Sequence, residues 1–185
     1  MVKNYNEVLY KNECIETERL ILRKFKVEDA EDIFEYASDA ATVEFLCWEG
    51  LSTLEEAHAA VYNHYWAHPG IWAIEHTESG KVIGCIDMRL IHDDDKASFG
   101  YVLNRAFWGR GYMTEVLRAF LTLCFEKLEL NRVEANYFAG NEGSGRVMEK
   151  VGMKREGYFP QQEKVKGIFR DCVRYGIIKS DYFGK

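Results

Sequence analysis

Proline is scarce in this chain: two residues in 185, against 15 glycines. That balance excludes a Pro-rich linker and favours regular elements joined by glycine turns. Cysteine is present but never as a Cys-x-x-Cys pair. Cys14, Cys47, Cys85, Cys124 and Cys172 are odd in number and widely scattered. A disulfide framework or a zinc knuckle is thereby excluded, and the expectation is buried thiols in a reducing compartment. Long apolar runs are missing too. The longest, residues 119–125, contains Thr122 and falls far short of the roughly 20 residues a membrane helix needs. Residues 1–7 offer no apolar core of a signal peptide, so no leader, no membrane and a cytoplasmic location are expected. A basic surplus is also absent. Thirty acids face 24 bases, for a formal net charge of -6, which argues against nucleic acid and admits a cationic or amine-bearing partner. No repeat or low-complexity tract divides the chain, and its 47% hydrophobic content suits one domain, expected over residues 1–185.

The apolar spacing predicts an alternation of elements. Residues 17–24 read as a strand with Leu20 and Leu22 on one face. Residues 27–38 read as a helix, with Ala30, Ile33, Phe34 and Ala37 at i, i+3, i+4 and i+7. Ser52 or Thr53 opens a second helix, each with a glutamate three residues on (Glu55, Glu56), the pattern of a reciprocal cap. Residues 71–76, 81–90 and 97–103 read as an antiparallel meander. A helix follows over 112–127, a strand over 132–139, a loop and helix over 141–151, and strands near 153–159 and 170–179. The order β-α-α-β-β-β-α-β-α-β-β predicts an α+β domain: a mixed, mostly antiparallel sheet with helices on both faces.

The most informative stretch is a strand, a glycine turn and an amphipathic helix over residues 101–115. The first turn of a helix presents unpaired N–H groups and partial positive charge. Gly109 and Gly111 clear side chains from the turn, and Arg105 and Arg110 lie close by, so a phosphate or pyrophosphate is the expected guest. A plain glycine-rich connection is the competing reading. Position 114 is Thr where a dinucleotide fingerprint needs glycine, and no Gly-Lys-Ser/Thr follows, which removes support from nicotinamide cofactors and nucleoside triphosphates. No metal is expected. His64 and His68 at i, i+4, with His58 upstream, lack the glutamate of a zinc helix. Asp93, Asp94 and Asp95 lack the glycine and distal glutamate of a calcium loop.

WGRGYMTE (residues 108–115), then a strand, then NEGSGRVMEKVGM (residues 141–153), resembles the GNAT superfamily of N-acetyltransferases. Within it the branch most similar is that of the ribosomal-protein N-terminal acetyltransferases. The likeness runs from about Glu16 to Ile178. It implies the GNAT fold, acetyl-CoA as co-substrate and an amine acceptor. The turn amides of Trp108, Gly109, Arg110, Gly111, Tyr112, Met113 and Thr114 would hold the pyrophosphate, with Trp108 first, Gly111 the central glycine, and Met113 where Gly or Ala is usual. The backbone of Tyr101, Val102 and Leu103 would bind pantetheine, as would the side-chain amide of Asn141.

Acetyl transfer to an amine requires loss of the ammonium proton, stabilisation of the carbonyl oxygen, and protonation of the leaving thiolate. The family's usual tyrosine falls at Met148, so Ser144 becomes the candidate at the sulfur; capping of its helix is the alternative. The branch's glutamate falls at Ser98, so Glu163, between the last two strands, becomes the candidate base, against the reading of a solvated loop acid. Asp87 and Glu134 are weaker candidates. In the link between the first two helices, Glu44, Trp48 and Glu49 would wall the acceptor, with packing the alternative for Trp48 and Phe45. The expected acceptor is a protein N-terminus, on a monomer or homodimer. A small-molecule amine (polyamine, aminoglycoside or amino acid) and a non-catalytic acetyl-CoA-binding module are the competing readings.

Overall fold

Leu20 and Leu22, one strand repeat apart, are fully buried on one face of a sheet; Ile71 and Ala73, of opposite phase to Trp72 and Ile74, are buried on the other. That double burial sets the architecture of the computed structural model, which describes residues 4–184. Residues 1–3 and 185, part of the expected leaderless start and of the expected domain 1–185, lie outside the described residues. In chain order the elements are α1 (Tyr5–Lys11), β1 (Ile15–Glu16), β2 (Leu20–Arg23), α2 (Ala30–Ala37), α3 (Ala40–Val43), α4 (Leu54–Ala60), β3 (Ile71–His76), β4 (Val82–Ile91), β5 (Lys96–Leu103), α5 (Tyr112–Thr122), β6 (Arg132–Phe138), α6 (Glu142–Lys150), β7 (Lys154–Val165), β8 (Ile168–Ile178) and α7 (Lys179–Phe183).

The strands form one 8-stranded sheet in the order β1-β2-β3-β4-β5-β6-β8-β7. Every pairing is antiparallel except β5 with β6. A parallel neighbour requires a crossover, and α5 supplies it. Helices α5 and α6 pack on one face against Trp72, Ile86, Phe99 and Val133; α2 and α4 pack on the other against Ile71, Ala73, Cys85 and Val102. This is the expected mixed α+β layering.

Several elements go beyond the expected order. Helix α1 forms because Tyr5 and Leu9, at i and i+4, both bury. Asn4 accepts from the Glu7 N–H at its start, and Lys11 pairs with Glu7 at 2.7 Å. Thr53, not Ser52, caps α4, in a reciprocal arrangement with Glu56. The helix from residue 112 passes into a wider π turn over Leu123–Lys127, where the Leu128 N–H reaches back to the Leu123 carbonyl at 2.9 Å.

The largest departure concerns the last two strands. They are paired almost to their connection and form a long hairpin whose turn is Lys166 and Gly167, both at positive φ. The stretch expected as a loop around residues 160–169 is thus mostly strand. Pro160 interrupts a strand reading, but β7 is the sheet's edge, where a missing N–H is tolerated. The pairing slips between Phe159 and Glu163, and the Gln161 N–H donates to Asp171 Oδ1 at 2.7 Å there.

Candidate active site

The parallel pair β5–β6 is joined only at Lys96↔Arg132, Ala97↔Val133 and Ser98↔Glu134. Beyond Ser98 the two strands part: β5 continues against β4 alone and β6 against β8 alone. The result is a gap in the middle of the sheet. Its β5 edge has a defined phase, because the Asn104 N–H donates to the Ile83 carbonyl at 2.7 Å. Alternation from that bond turns Val102 toward β4, and turns the backbone groups of Tyr101 and Leu103 into the gap. Trp108 folds back on this edge, its indole N–H donating to the Leu103 carbonyl at 2.6 Å.

Below the gap lies the glycine turn. Gly109 and Gly111 have φ of 73° and 84°, values that L side chains rarely adopt. Gly111 is the N-cap of α5, and no side chain caps the first turn of that helix. Its leading amides therefore point into an open cradle, in which a Cβ on Gly109 would have nothing within 4 Å. Met113, the departure from the usual small residue, turns inward and is buried in the main core with Tyr112, so its bulk is away from the cradle. Thr114 is buried as well, while Trp108 and Arg110 are exposed.

The turn is braced from two sides. The Arg19 guanidinium lies 4.4 Å over the Tyr112 ring, donates to the Arg110 carbonyl and pairs with Glu115 at 2.7 Å. Burial pushes the Glu115 carboxyl up, but hydrogen bonds from Thr17 and Arg19 outweigh it and hold the group below its ordinary range. On the other side the Tyr112 hydroxyl meets His76 Nε2 at 3.0 Å, and His76 Nδ1 meets Ser79 Oγ at 2.9 Å.

On the α5–α6 face of the gap stand Asn141, Ser144 and Tyr101. Asn141 is the N-cap of α6, its side-chain oxygen accepting from the Ser144 N–H. Ser144 is therefore not the cap. Its hydroxyl lies 2.6 Å from the Tyr101 hydroxyl. Burial is the main influence on the Tyr101 phenol and raises its pKa to about 12. Met148 is fully buried in the core.

On the opposite face stands Glu163. It sits in β7, not in a loop, opposite Arg170. Its Oε1 is 3.5 Å from Asn136 Nδ2 of β6, and it borders the Cys172 thiol of β8. Burial, reinforced by Glu163, pushes that thiol up to about 11, so it stays protonated near neutrality and is a poor nucleophile. Asp87 pairs with Arg89 at 2.9 Å, and both lie across Gly100, where a Cβ would sit 2.8 Å from Asp87 Oδ2. Glu134 is engaged by Arg132 and Lys96, and Ser98 is half-buried at the point of divergence.

The link between α3 and α4 closes over this second face. A Cβ on Gly140 would lie 3.0 Å from Phe45 Cε1, and Phe45 packs against Phe138, Val165 and Cys172. Lys166 at the hairpin turn donates to the Val43 carbonyl at 2.8 Å. Trp48 is half-buried and packs against the α2–α4 core, whereas Glu44 and Glu49 are exposed. Sequence reasoning overlooked the Tyr101 side chain, the Phe45–Gly140 contact and Lys166. Each acts across a distance in sequence that no local pattern encodes.

The residues fit acetyl-CoA. An uncapped helix N-terminus behind two positive-φ glycines takes a pyrophosphate, and an open strand edge, its Leu103 carbonyl engaged by Trp108 and its other outward backbone groups turned into the gap, takes an extended amide chain. Among the described residues no group of three or more His, Cys, Asp or Glu is arranged to hold a metal ion, and no helix is long and apolar enough to cross a membrane.

Comparison with known proteins agrees with this geometry. The profile of the acetyltransferase (GNAT) domain matches residues 19–154. The uncharacterized N-acetyltransferase YoaA of Bacillus subtilis is 31% identical over 89% of this chain and 96% of its own. The [ribosomal protein uS5]-alanine N-acetyltransferase of Escherichia coli is 29% identical over 45% of this chain and 43% of its own. Among solved structures, a GNAT-family acetyltransferase from Bacillus anthracis superposes with a TM-score of 0.82 at 30% identity, covering 90% of this chain and 99% of its own.

Proposed function

We propose, for a chain that belongs to the GNAT family and is an acetyl-CoA-dependent N-acetyltransferase, that the acceptor is a protein N-terminal amine and that Ser144 and Glu163 serve the transfer from opposite faces of the sheet. The observation that carries this reading is the gap between β5 and β6, which has Ser144 on its α5–α6 face and Glu163 on the other. A thioester threaded through the gap meets a hydroxyl on the side of its sulfur and a carboxylate on the side from which an amine approaches.

The division of labour follows. Amides at the start of α5 hold the pyrophosphate, from Trp108 and Gly109 through Thr114. The backbone of Tyr101 and Leu103 and the Asn141 amide hold the pantetheine arm. Acetyl-CoA supplies an activated acyl group, and no covalent enzyme intermediate is needed; the Cys172 thiol, held protonated, is unsuited to form one. Glu163 accepts the amine proton, directly or through water, and Ser144 donates a hydrogen bond to the departing sulfur. Phe45 and Lys166 fix the acceptor wall, on which Trp48 offers an aromatic edge and Glu44 and Glu49 attract a positively charged amine.

The protein acceptor is supported by the uS5-alanine enzyme among the relatives and by the exposed, acidic rim of the wall. Acetyl-CoA turnover and mass shift are to be measured against peptides with N-terminal alanine or serine, and against polyamines, aminoglycosides and free amino acids. Acetylation at the peptide α-amine is the expected result. Turnover confined to a small amine would overturn the acceptor assignment, and absence of turnover over the whole panel would leave a binding module.

A further inference from the structure

The hydroxyl pair Tyr101–Ser144 is the polar link between the two walls of the gap on its α5–α6 face, since Tyr101 belongs to β5 and Ser144 to α6. Its hydrogens have two arrangements. The Tyr101 hydroxyl lies 3.1 Å from the Ser144 carbonyl and 2.6 Å from Ser144 Oγ. If the Tyr101 proton goes to the carbonyl, the Ser144 proton is drawn to the phenol oxygen. If the Tyr101 proton goes to Oγ, the Ser144 proton is released to a third atom. A rotation of two hydroxyls separates the arrangements, with no movement of backbone.

Resting on the reading of Ser144 above, we propose that Tyr101 is a positioning residue: by donating to Ser144 Oγ it turns the Ser144 proton toward the sulfur of coenzyme A and stabilises the departing thiolate. Met148, one turn further along α6, is buried and has no proton to give, so the strand replaces the helix as the source of the phenol. The surroundings keep the pair simple. The charged residues of the same turn of α6, Glu142 and Arg146, are exposed; β6 presents Tyr137 beneath Gly145, and β5 presents Phe99, stacked 6.1 Å from the Tyr101 ring. Because burial raises the Tyr101 phenol, it remains a donor over the range in which a thiol titrates. In the step itself the lone pair of the acceptor nitrogen forms the new bond to the acetyl carbon, the carbon–sulfur bond breaks, and its electron pair goes to sulfur. Ser144 and Tyr101 each shift a hydrogen bond and lose no proton. The acceptor nitrogen loses its proton on the Glu163 side, and the sulfur later takes one from water.

The test needs no acceptor. Free coenzyme A is bound to the protein, and its thiol is titrated by thiolate absorbance, with desulfo-coenzyme A as blank. One hydrogen bond to the charged form should lower the bound thiol by about one pH unit from the value of free coenzyme A titrated alongside, a tenfold gain in acidity. Ser144→Ala should abolish the shift and Ser144→Thr should keep most of it. Tyr101→Phe, which retains the ring, should lose at least half of it, with coenzyme A affinity unchanged at about pH 6, where the thiol is protonated both free and bound. A full shift in Tyr101→Phe, lost in Ser144→Ala, would overturn this proposal and leave the Ser144 reading standing. An unshifted thiol in the wild type would overturn both. Loss of coenzyme A binding in Tyr101→Phe at that same pH would assign the link to binding and overturn the positioning role.

Discussion

Glu163 illustrates how a single side chain depends on its partners. In β7 it borders Cys172 across the hairpin and reaches Asn136 of β6 beyond it, a fixed position that a loop acid would lack. If it accepts the amine proton, Glu163→Gln should slow turnover most at low pH, where the acceptor is an ammonium and a base is needed. The variant and wild type should converge at high pH, where the free amine already exists. A ratio of kcat/KM that does not change with pH would assign Glu163 to attraction of the amine or to hairpin structure. Trp48 has two roles to separate. Half of it is buried against the α2–α4 core, and the rest belongs to the link that closes with Phe45 over the second face. Trp48→Ala should raise the acceptor KM several-fold, with acetyl-CoA affinity nearly unchanged. Its lost packing should cost about 1–2 kcal/mol, small against a full aromatic truncation of about 3–5 kcal/mol. Equal loss of both affinities would make Trp48 a core residue only.

Among the elements, the glycine turn and α5 were legible because their signal is local: a strand end, two glycines, then an apolar stripe. Gly111 at φ 84° and the uncapped helix behind it are what those residue types demand. Substituting glutamate there adds backbone strain of about 1–2 kcal/mol and places a carboxylate in the cradle. Gly111→Glu should therefore lose acetyl-CoA binding in calorimetry while retaining a cooperative melt. Gly109→Ala, with open space around its Cβ, should weaken binding far less. Other elements were hidden for physical reasons. Helix α1 rests on only two buried residues, Tyr5 and Leu9, and α3 on four residues capped by Asp39. The true length of β7 was masked by Pro160, because a strand's tolerance of proline depends on its being at the sheet's edge, which is a property of topology. Tyr101 was expected to act through its backbone. Its hydroxyl partner lies 43 residues on and becomes visible only once α6 is placed beside β5.

The bracing of α5 against β2 makes a further prediction at this scale. Glu115 gathers Thr17 Oγ1, the Arg19 N–H and the Arg19 guanidinium within 2.7–2.8 Å. Its folded pKa lies below the ordinary value of 4.5, so its contribution is complete above that value and is lost as pH falls through the lower folded pKa. Glu115→Gln should lower stability by about 2 kcal/mol at neutral pH, roughly 4–8 °C in Tm for a protein of this size. The difference from wild type should shrink in melts below about pH 4. An unchanged difference there would mean that the carboxylate charge is not what holds the brace.

Over the whole molecule, the sheet is two halves that share only three residue pairs at Lys96–Ser98 and Arg132–Glu134. Elsewhere they are held by α5 and α6 packed across one face, and by Phe45 against Gly140 and Lys166 on Val43 across the other. A ligand lying in the gap bonds to both halves and should stabilise the folded state as a unit. At a hundredfold excess over Kd the gain is about 2.7 kcal/mol, or roughly 5–11 °C in Tm. The cysteines report the same event by another route. Cys14 and Cys47 are exposed, whereas Cys85, Cys124 and Cys172 are buried, in β4, in the π turn after α5 and in β8. A thiol reagent should label the first two at once and the other three only as the protein opens. Acetyl-CoA should slow that second phase without affecting the first, because only the opening is coupled to the ligand. Slowing of Cys124 without Cys85 and Cys172 would confine the effect to the helix and exclude a ligand that bridges the two halves.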